Sequence, residues 1–251
     1  MRTAHRKPIK RIPNLHNSGK RIGIITGSGP EAGVDLWQKI LLANRKILGQ
    51  RFRGDLDAPN LTIISEPSLG MSMDLEKNHE AVWCCLENAA REIARRVDYY
   101  AIACNTLNYY QPQLEALNLP AKLISFADVA LDYLQKNHVR RIAVLGARPV
   151  TDLGPWSHYR KLAGQVEIEL PKPQQAAQLH QLIHDVKTFG AGSPEIRARF
   201  RAILDALESG TVLLACTELP LIHIEAAPGA LVDMTQLVAN KLAQLCQAEA
   251  P

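Results

Sequence analysis

Two cysteines of this chain stand at the same kind of position, far apart in the sequence. Cys104 follows the apolar run in AIACNTL (101–107), and Cys216 follows the apolar run in LLACTEL (213–219). An unperturbed cysteine titrates near pH 8.5, so thiol and thiolate are both within reach at neutral pH. Such a pair could act as an acid and a base on one bound carbon. Either cysteine taken alone would be read as a small buried apolar residue.

The chemistry that suits two opposed thiols is the inversion of an amino acid at Cα. One thiolate removes the Cα hydrogen from one face, and the other thiol returns a hydrogen to the opposite face. Thr106 and Thr217 lie within two residues of the cysteines, and their hydroxyls can orient the substrate carboxylate. Donors at the carboxylate also stabilise the negative charge that develops as the proton leaves. We therefore expect a reaction that needs no metal and no organic cofactor.

Short apolar runs alternate with amphipathic helical stretches from Arg21 onwards, which is typical of a parallel sheet with crossover helices. The predicted strands are 21–26, 61–65, 99–103, 122–126, 141–146, 166–170, 211–215 and 230–234. The predicted helices are 31–48, 77–96, 127–137, 174–188, 194–208 and 235–247. Both cysteines stand where a strand gives way to a helical segment, so backbone N–H groups and the helix dipole are expected to favour a thiolate.

The chain contains an internal repeat. RIGIITGSGPEAG (21–33) is matched by RIAVLGARPVTDLG (141–154), 120 residues later. The two cysteine segments are 112 residues apart, and KLISFADVALDYL (122–134) is matched by ALVDMTQLVANKL (230–242) after 108 residues. Three landmarks in one order indicate two related halves. We therefore predict an α/β fold of two pseudo-symmetric domains, each a mainly parallel sheet flanked by helices, with the active site in the cleft between them.

Charge is distributed unevenly along the 251 residues, whose net charge is +4. Residues 1–21 contain seven basic residues and no acid, whereas the remainder has 22 basic and 25 acidic residues. A nucleic-acid-binding protein needs a positive face on the folded body, so we expect no nucleic-acid partner. Because 1–20 also contains two prolines and two asparagines, we interpret it as a flexible basic leader. A contact of this leader with an acidic surface is the alternative.

The composition also bears on the cellular compartment. No apolar run approaches the roughly 18 residues that a membrane-spanning helix needs, so we expect no membrane association. The basic N-terminus lacks the apolar segment of a secretory signal. Five cysteines without regular spacing do not form the pattern of a disulfide framework. These features favour the cytoplasm, where thiols stay reduced and available for chemistry.

The motifs around these positions resemble a known family. GSGPEAG (27–33), ACNT (103–106) and ACTELPLI (215–222) together resemble the aspartate/glutamate racemase superfamily, and its aspartate racemase branch most closely. The resemblance extends over residues 21–247, and the combination of motifs is what makes it specific. The D-S-G loop and the C-T-H motif of the glutamate racemase branch are absent from the sequence.

The resemblance implies an active site with two acid/base thiols, Cys104 and Cys216, each serving one enantiomer of an amino-acid substrate. The implied substrate-binding residues are Gly27, Ser28, Gly29, Asn105, Thr106, Thr217, Glu218 and Lys187. The first three of these would form a loop that lines the cleft.

The resemblance also assigns roles to the polar side chains. Asn105 and Thr106 would hold the α-carboxylate of the substrate, with Thr217 as their counterpart in the other half. Glu218 would polarise the second thiol or orient the amino group. Lys187 would bind a distal carboxylate of the substrate. A solvated lysine that balances the dipole at a helix end is an equally good interpretation of Lys187.

A domain division follows from the same resemblance, because members of the family commonly return their last elements to the first domain. The expected division is a leader at 1–20, a first domain of 21–121 plus 232–251, and a second domain of 122–231. The family often forms dimers, so a homodimer is an expectation to test.

Two segments depart from the family pattern. The aspartate racemase branch usually has an arginine after the second strand that pairs with the distal carboxylate, but SEPSLGMSMD (65–74) has no basic residue. Met71 and Met73 would leave an apolar, adaptable patch there. The usual G-T-x-x-S-x-x-Y loop is replaced by RPVTDLGPW (148–156), in which Arg148 could supply a relocated charge. These departures favour an amino acid less acidic than aspartate.

Two alternative functions stay open at this point. A related decarboxylase or cis–trans isomerase of the superfamily would use the same cleft, although the decarboxylases generally keep one cysteine. A non-catalytic ligand-binding homologue would fit the altered pocket and the basic leader.

The remaining cysteines and a histidine pair have simpler interpretations. Cys84, Cys85 and Cys246 fall within predicted helices and are expected to pack in the core. His180 and His184 have the i, i+4 spacing of metal ligands. Neither a third ligand nor a helical glutamate between them accompanies the pair, so we expect no metal site.

Overall fold

The computed structural model describes residues 19–247, in which strands and helices alternate along the chain. The strands are β1 (Ile22–Thr26), β2 (Leu61–Ser65), β3 (Tyr99–Ile102), β4 (Lys122–Leu123), β5 (Arg141–Leu145), β6 (Glu167–Glu169), β7 (Thr211–Leu214) and β8 (Ala230–Asp233). The α-helices are α1 (Pro30–Leu48), α2 (Leu75–Ile93), α3 (Gln111–Ala116), α4 (Phe126–Lys136), α5 (Arg148–Thr151), α6 (Pro173–Phe189), α7 (Pro194–Asp205) and α8 (Met234–Gln247). The flexible leader predicted over 1–20 lies almost entirely outside the described residues.

The strands form two four-stranded sheets in which every pairing is parallel. The first sheet has the order β2-β1-β3-β4, and the second has the order β6-β5-β7-β8. The second order repeats the first strand by strand, so the internal repeat in the sequence corresponds to two halves of one topology. The predicted fold class, two α/β domains with parallel sheets flanked by helices, is confirmed.

The central strands β1, β3, β5 and β7 are mainly apolar because helices cover both faces of each sheet. All five residues of β1 are buried. The largest core cluster contains residues of β1, β3 and α1 from the first half together with residues of β5, β7 and α8. This shared core holds the two halves together beneath the ends of their central strands.

The starts of several helices have local causes in the sequence. Pro30 is the first residue of α1, where its fixed φ suits a helix and its missing N–H costs nothing. Ser125 and Ser193 precede α4 and α7, and each accepts a hydrogen bond from a backbone N–H three residues ahead, at 3.4 and 3.1 Å. These caps fix the residue at which each loop ends and the helix begins.

The predicted strands and helices are all present, with boundaries that shift by a few residues. β4 is shorter than predicted, since it ends at Leu123 rather than at residue 126. α3 and α5 are absent from the sequence prediction. They contain six and four residues, which is too short for a helical hydrophobic period to be recognised.

The last helix, α8, packs against α1 and α4. The side chain of Gln247 at its end donates a hydrogen bond to Asn44 of α1 at 2.7 Å. β4 pairs with β3 in the first sheet, although the expected division assigns residue 122 to the second domain. The domain boundaries themselves stay a prediction. Within residues 19–247, no helix has the length and apolar character needed to cross a membrane.

Candidate active site

Cys104 and Cys216 lie at equivalent points of the two halves, each two residues beyond the end of a central strand. Cys104 follows β3 and Cys216 follows β7. Both are free cysteines, and they are only 7% and 6% exposed. Because the carboxyl ends of parallel strands meet at one edge of a sheet, the topology alone brings each cysteine to the edge where such sheets bind ligands.

The two cysteine segments are in direct contact. Thr217, directly after Cys216, donates a hydrogen bond from Oγ1 to the carbonyl oxygen of Ala103, directly before Cys104, at 3.4 Å. Thr217 is buried. The ends of β3 and β7 therefore face each other, and the structure brings both cysteines to one place.

A second connection between the halves runs through Lys187 in the last turn of α6. Its ammonium group donates to the backbone carbonyl of Ser28 at 3.0 Å and forms an ion pair with Glu218. The Cys216 thiol donates to the other oxygen of that carboxylate at 3.0 Å. The side chains of Lys187 and Glu218 are 17% and 4% exposed. The interpretation of Lys187 as a solvated helix-end residue is therefore wrong.

The loop after β1, Gly27–Gly29, passes directly against this ion pair. A Cβ atom at Gly29 would lie 2.1 Å from a carboxylate oxygen of Glu218, and one at Gly27 would lie 2.1 Å from the carbonyl oxygen of Glu66. Both glycines also have left-handed φ angles, +91° and +120°. Glycine is thus required at both positions for the loop to take this path.

Two hydroxyl groups lie beside the Cys104 thiol. Its Sγ atom is 3.5 Å from Ser28 Oγ and 4.0 Å from Ser72 Oγ, and the two hydroxyls are 2.9 Å apart. Both serines are buried. Sequence reasoning missed Ser72, because a serine between two methionines in a loop carries no recognisable signal.

The surroundings of Cys216 favour its thiol form. Burial raises the pKa of Cys216 well above its ordinary value, and the negative charge of Glu218 raises it further, while Lys187 offsets part of this rise. Backbone N–H groups and a helix dipole are expected from the sequence to favour a thiolate; the backbone N–H of Glu218 does lower the pKa of Cys216, but burial and the Glu218 carboxylate outweigh it. A single 3₁₀ turn, Leu219–Leu221, follows Cys216, and so short a helix has little dipole.

The environment of Lys187 keeps it protonated. Burial by itself lowers the pKa of Lys187, but the negative charge of Glu218, and of Cys104 and Cys216 when they are ionised, outweighs burial, so the pKa is raised. The ammonium group contacts Ser28 and Glu218, and each of these residues contacts one of the two thiols. Its positive charge is balanced inside the protein by Glu218.

Asn105 and Thr106 follow Cys104 directly, and both are buried. Asn105 Oδ1 accepts a hydrogen bond from the hydroxyl of Tyr159 at 2.6 Å. Its Nδ2 atom has no hydrogen-bond partner among the described residues. Tyr159 comes from the second half, in the 3₁₀ helix His158–Leu162. The amide that the resemblance assigns to carboxylate binding is thus held from the opposite half.

The two segments that depart from the family pattern each reach the other half. Met73 packs against the core cluster that α6, α7 and β7 form in the second half. Trp156 packs against the core cluster that α2, β3 and α3 form in the first half. Its ring centroid lies 5.1 Å from that of Tyr109. Arg148 is exposed, and its guanidinium group forms no ion pair within residues 19–247. Unlike Arg148, Lys187 is held within the site by direct hydrogen bonds.

The histidine pair lies on α6, near its middle. His180 Nδ1 accepts a hydrogen bond from the backbone N–H of Arg148 at 3.3 Å, and the ring centroids of His180 and His184 are 5.4 Å apart. In the part of the chain that the structure describes, no group of three potential metal ligands is found.

Three cysteines lie outside the site. Cys246 is buried and Cys85 is half-buried, whereas Cys84 is exposed on the outer face of α2. The prediction of core packing is confirmed for Cys246 and is wrong for Cys84. The error arises because Cys84 falls beside the apolar stripe of an amphipathic helix rather than within it.

Comparison with known families agrees with this geometry. Residues 22–242 match the model of the family described as Asp/Glu/hydantoin racemase. The chain belongs to this family. As a member of the racemase family it is an isomerase, and a small-molecule amino-acid substrate follows from that membership.

Individual relatives of this racemase cover most of its length. The Bacillus subtilis protein named broad specificity amino-acid racemase RacX is 25% identical over 215 residues, which are 82% of this chain and 89% of that protein. The aspartate racemase of Picrophilus torridus has a TM-score of 0.75 at 20% identity, over 92% of this chain and 100% of that chain. An aspartate racemase homologue from Pyrococcus horikoshii has a TM-score of 0.70 at 23% identity, over 91% and 100%. The solved structures share the fold of this racemase.

His158 is a buried histidine beside the site. It precedes Tyr159, and the centroids of the two rings lie 4.4 Å apart. Neither of its ring nitrogens has a hydrogen-bond partner within residues 19–247. Burial lowers the pKa of His158 to about 3, Lys161 contributes in the same direction, and Asp128 offsets part of the shift. The folded protein therefore holds this imidazole in its neutral form.

This histidine should make the stability of the racemase depend on pH. An unfolded histidine titrates near 6.5. The contribution of His158 to the free energy of unfolding is therefore complete above that pH and is lost progressively as pH falls toward 3. We expect the free energy of unfolding to fall from this source by about 1.4 kcal/mol per pH unit. Urea unfolding between pH 7 and 4 measures the slope for wild type and His158→Gln.

The His158→Gln protein should show the shallower slope. His223→Gln replaces an exposed histidine and should keep the wild-type slope. Equal slopes for wild type and His158→Gln would contradict the assignment of the pH dependence to His158.

Proposed function

We propose that this protein is a cofactor-independent amino-acid racemase that inverts Cα by proton transfer between Cys104 and Cys216. The observation that carries the proposal is a set of contacts that connects the two thiols. Cys104 contacts the Ser28 hydroxyl, and the backbone carbonyl of the same serine accepts from Lys187. Lys187 is paired with Glu218, whose carboxylate accepts from Cys216. With the hydrogen bond from Thr217 to the carbonyl of Ala103, these contacts support one site shared by both thiols.

The proposed reaction consists of two proton transfers. In one direction the Cys104 thiolate takes the Cα hydrogen as a proton, and the electron pair stays on the carbon beside the carboxylate. The Cys216 thiol then gives its proton to the opposite face of that carbon and becomes a thiolate. The reverse reaction exchanges the two roles. Atoms and charge balance without an oxidant, a metal or an organic cofactor.

Glu218 would assist the second thiol in both directions. Its carboxylate accepts the hydrogen bond from Cys216 and is paired with Lys187. When Cys216 must act as the base, this carboxylate can receive the thiol proton. When Cys216 acts as the acid, the Lys187 ammonium balances part of the charge of the thiolate that forms.

The substrate carboxylate would lie against donors at the strand ends. Asn105 offers a buried Nδ2 group without a partner among the described residues, and the Thr106 hydroxyl lies in the same buried segment. The Thr217 hydroxyl would have to release its present acceptor, Ala103 or Glu218, to join them. Such donors stabilise the negative charge that spreads onto the carboxylate as the Cα proton leaves.

The side-chain specificity follows from the charges of the site. A distal carboxylate needs a cation that is free to pair with it. Lys187 is already paired with Glu218, and segment 65–74 contains no basic residue. Met73 packs against the core cluster that contains Cys216 and offers an apolar surface instead. We therefore propose a substrate whose side chain carries no carboxylate, in keeping with the broad specificity named for the Bacillus subtilis relative.

The decisive experiment follows the Cα hydrogen. Single enantiomers of several amino acids are incubated with the protein in heavy water, with deuterium at Cα measured by NMR and configuration by chiral chromatography. Deuterium in the inverted enantiomer supports racemisation. Release of carbon dioxide from a malonate-type acid would identify a decarboxylase, and saturable binding without any exchange would identify a ligand-binding homologue.

The specificity is tested with isosteric pairs, asparagine against aspartate and glutamine against glutamate. We expect kcat/KM to be at least about tenfold higher for each amide than for its acid, because the acid would bring an unpaired carboxylate into a buried site. A preference for aspartate over asparagine would refute the proposed substrate class while leaving the two-thiol reaction in place.

The proposed reaction requires both thiols in reduced form. Cys104 and Cys216 are free in the structure, and oxidation of either would remove an acid or a base. We therefore propose a reducing compartment, the cytoplasm, as the place where the enzyme works.

A further inference from the structure

A hydrogen bond between Tyr159 and Asn105 crosses from one half of the molecule to the other. The Tyr159 hydroxyl lies 2.6 Å from Asn105 Oδ1. Tyr159 is 0% exposed and Asn105 is 2% exposed, so water does not compete for either group. Tyr159 also lies close enough to Cys216 for a charge on that sulfur to affect its hydroxyl. The amide of Asn105, directly after Cys104, is therefore held by a residue of the other half.

The direction of this hydrogen bond determines which end of the amide stays free. Burial, and then the charge of Cys216, raise the pKa of Tyr159 well above its ordinary value, so its hydroxyl is a donor. If the amide were turned round, the buried hydroxyl proton would face Nδ2 and lose its acceptor among the described residues. Oδ1 is therefore engaged, and Nδ2 is the group that has no partner within residues 19–247.

We infer that Tyr159 is a positioning residue that turns the Asn105 amide so that its N–H groups face the substrate carboxylate. This inference rests on the proposed function, because it assumes that a carboxylate binds beside Cys104. A buried donor without a partner is costly, and a bound carboxylate would remove that cost. Since the two residues come from different halves, the amide is oriented only while the halves are together.

The test compares two buried tyrosines that each donate one hydrogen bond. Tyr159→Phe removes the hydroxyl and leaves the ring, so the amide is free to turn its oxygen toward the carboxylate. We expect KM to rise at least about tenfold, with kcat changed by less than about threefold. Tyr110→Phe is the matched control, because the Tyr110 hydroxyl donates to the carbonyl oxygen of His79 at 2.7 Å. It should change stability by a similar amount and leave KM unchanged.

A double-mutant cycle separates a positioning role from a general packing role. Asn105→Ala removes the amide, and adding Tyr159→Phe to it should raise KM by less than about twofold further. If the two effects on KM multiply instead, Tyr159 acts independently of Asn105 and the inference is overturned. An unchanged KM in Tyr159→Phe, in an enzyme whose wild type racemises, also overturns it.

A binding measurement keeps the inference testable if no amino acid is turned over. Dissociation constants of propionate and propylamine are measured by calorimetry for wild type and Tyr159→Phe. We expect the variant to bind propionate about tenfold more weakly and propylamine as well as wild type does. Equal changes for both probes, or no change for propionate, would overturn the inference. Absence of exchange with every amino acid, together with the expected loss of propionate binding, would overturn the proposed racemase reaction alone.

Discussion

Cys104→Ser and Cys216→Ser are each expected to lower the rate of inversion by about 10²- to 10⁴-fold, the range that positioned acid and base groups contribute. A serine hydroxyl occupies nearly the same space but gives up its proton far less readily than a thiol, so it cannot replace a cysteine as the base. Chiral chromatography of a single-enantiomer substrate measures the loss. Cys84→Ser, at the exposed cysteine of α2, should keep the wild-type rate.

The two variants should differ in which enantiomer exchanges its Cα hydrogen with solvent. The rates of inversion in the two directions do not distinguish them. The enantiomers have equal free energy in water, so each variant must lose kcat/KM equally in both directions. With Cys216 replaced, Cys104 can still remove and return a hydrogen on its own face, so one enantiomer takes up deuterium without inverting. With Cys104 replaced, the other enantiomer should exchange. Exchange of the same enantiomer by both variants, or inversion at the wild-type rate by either, would disprove the two-thiol mechanism.

Lys187→Met is expected to destabilise the protein by about 3–5 kcal/mol, because it leaves the Glu218 carboxylate buried without its partner. The Glu218 side chain is 4% exposed and cannot recover this loss by hydration. Urea denaturation of the variant and the wild type at pH 7 measures the difference. Arg91→Met is the matched control, since it breaks an ion pair with Glu87 whose side chains are 47% and 28% exposed. That change should cost about 0–1 kcal/mol.

A second variant distinguishes the buried charge from lost packing. In Lys187→Met combined with Glu218→Gln, no uncompensated charge is buried, so most of the lost stability should return. A loss in Lys187→Met no larger than in Arg91→Met would contradict the account of a buried pair. A double variant as unstable as Lys187→Met would instead assign the loss to packing around Lys187.

The sequence of elements was predictable from the amino-acid sequence because each element is specified locally. Buried parallel strands are continuous apolar runs, and the helices between them repeat their apolar residues with a helical period. The internal repeat predicted two halves of one topology, and the two sheets have that topology. The positions of Cys104 and Cys216 at strand ends followed from the same patterns, since the ends of parallel strands meet at one edge.

The charges and contacts of the candidate site were decided by the tertiary structure. Lys187 and Ser28 are 159 residues apart in sequence, and no local pattern predicts that they are hydrogen-bonded. The thiol form of Cys216 depends on burial and on the Glu218 carboxylate, which outweigh the backbone N–H group at the strand end. Likewise, Ser72 reaches Cys104 from 32 residues away. The sequence by itself thus determined the fold and the family of this protein. Protonation states and hydrogen-bond partners required the folded chain, because they depend on which distant segments exclude water together.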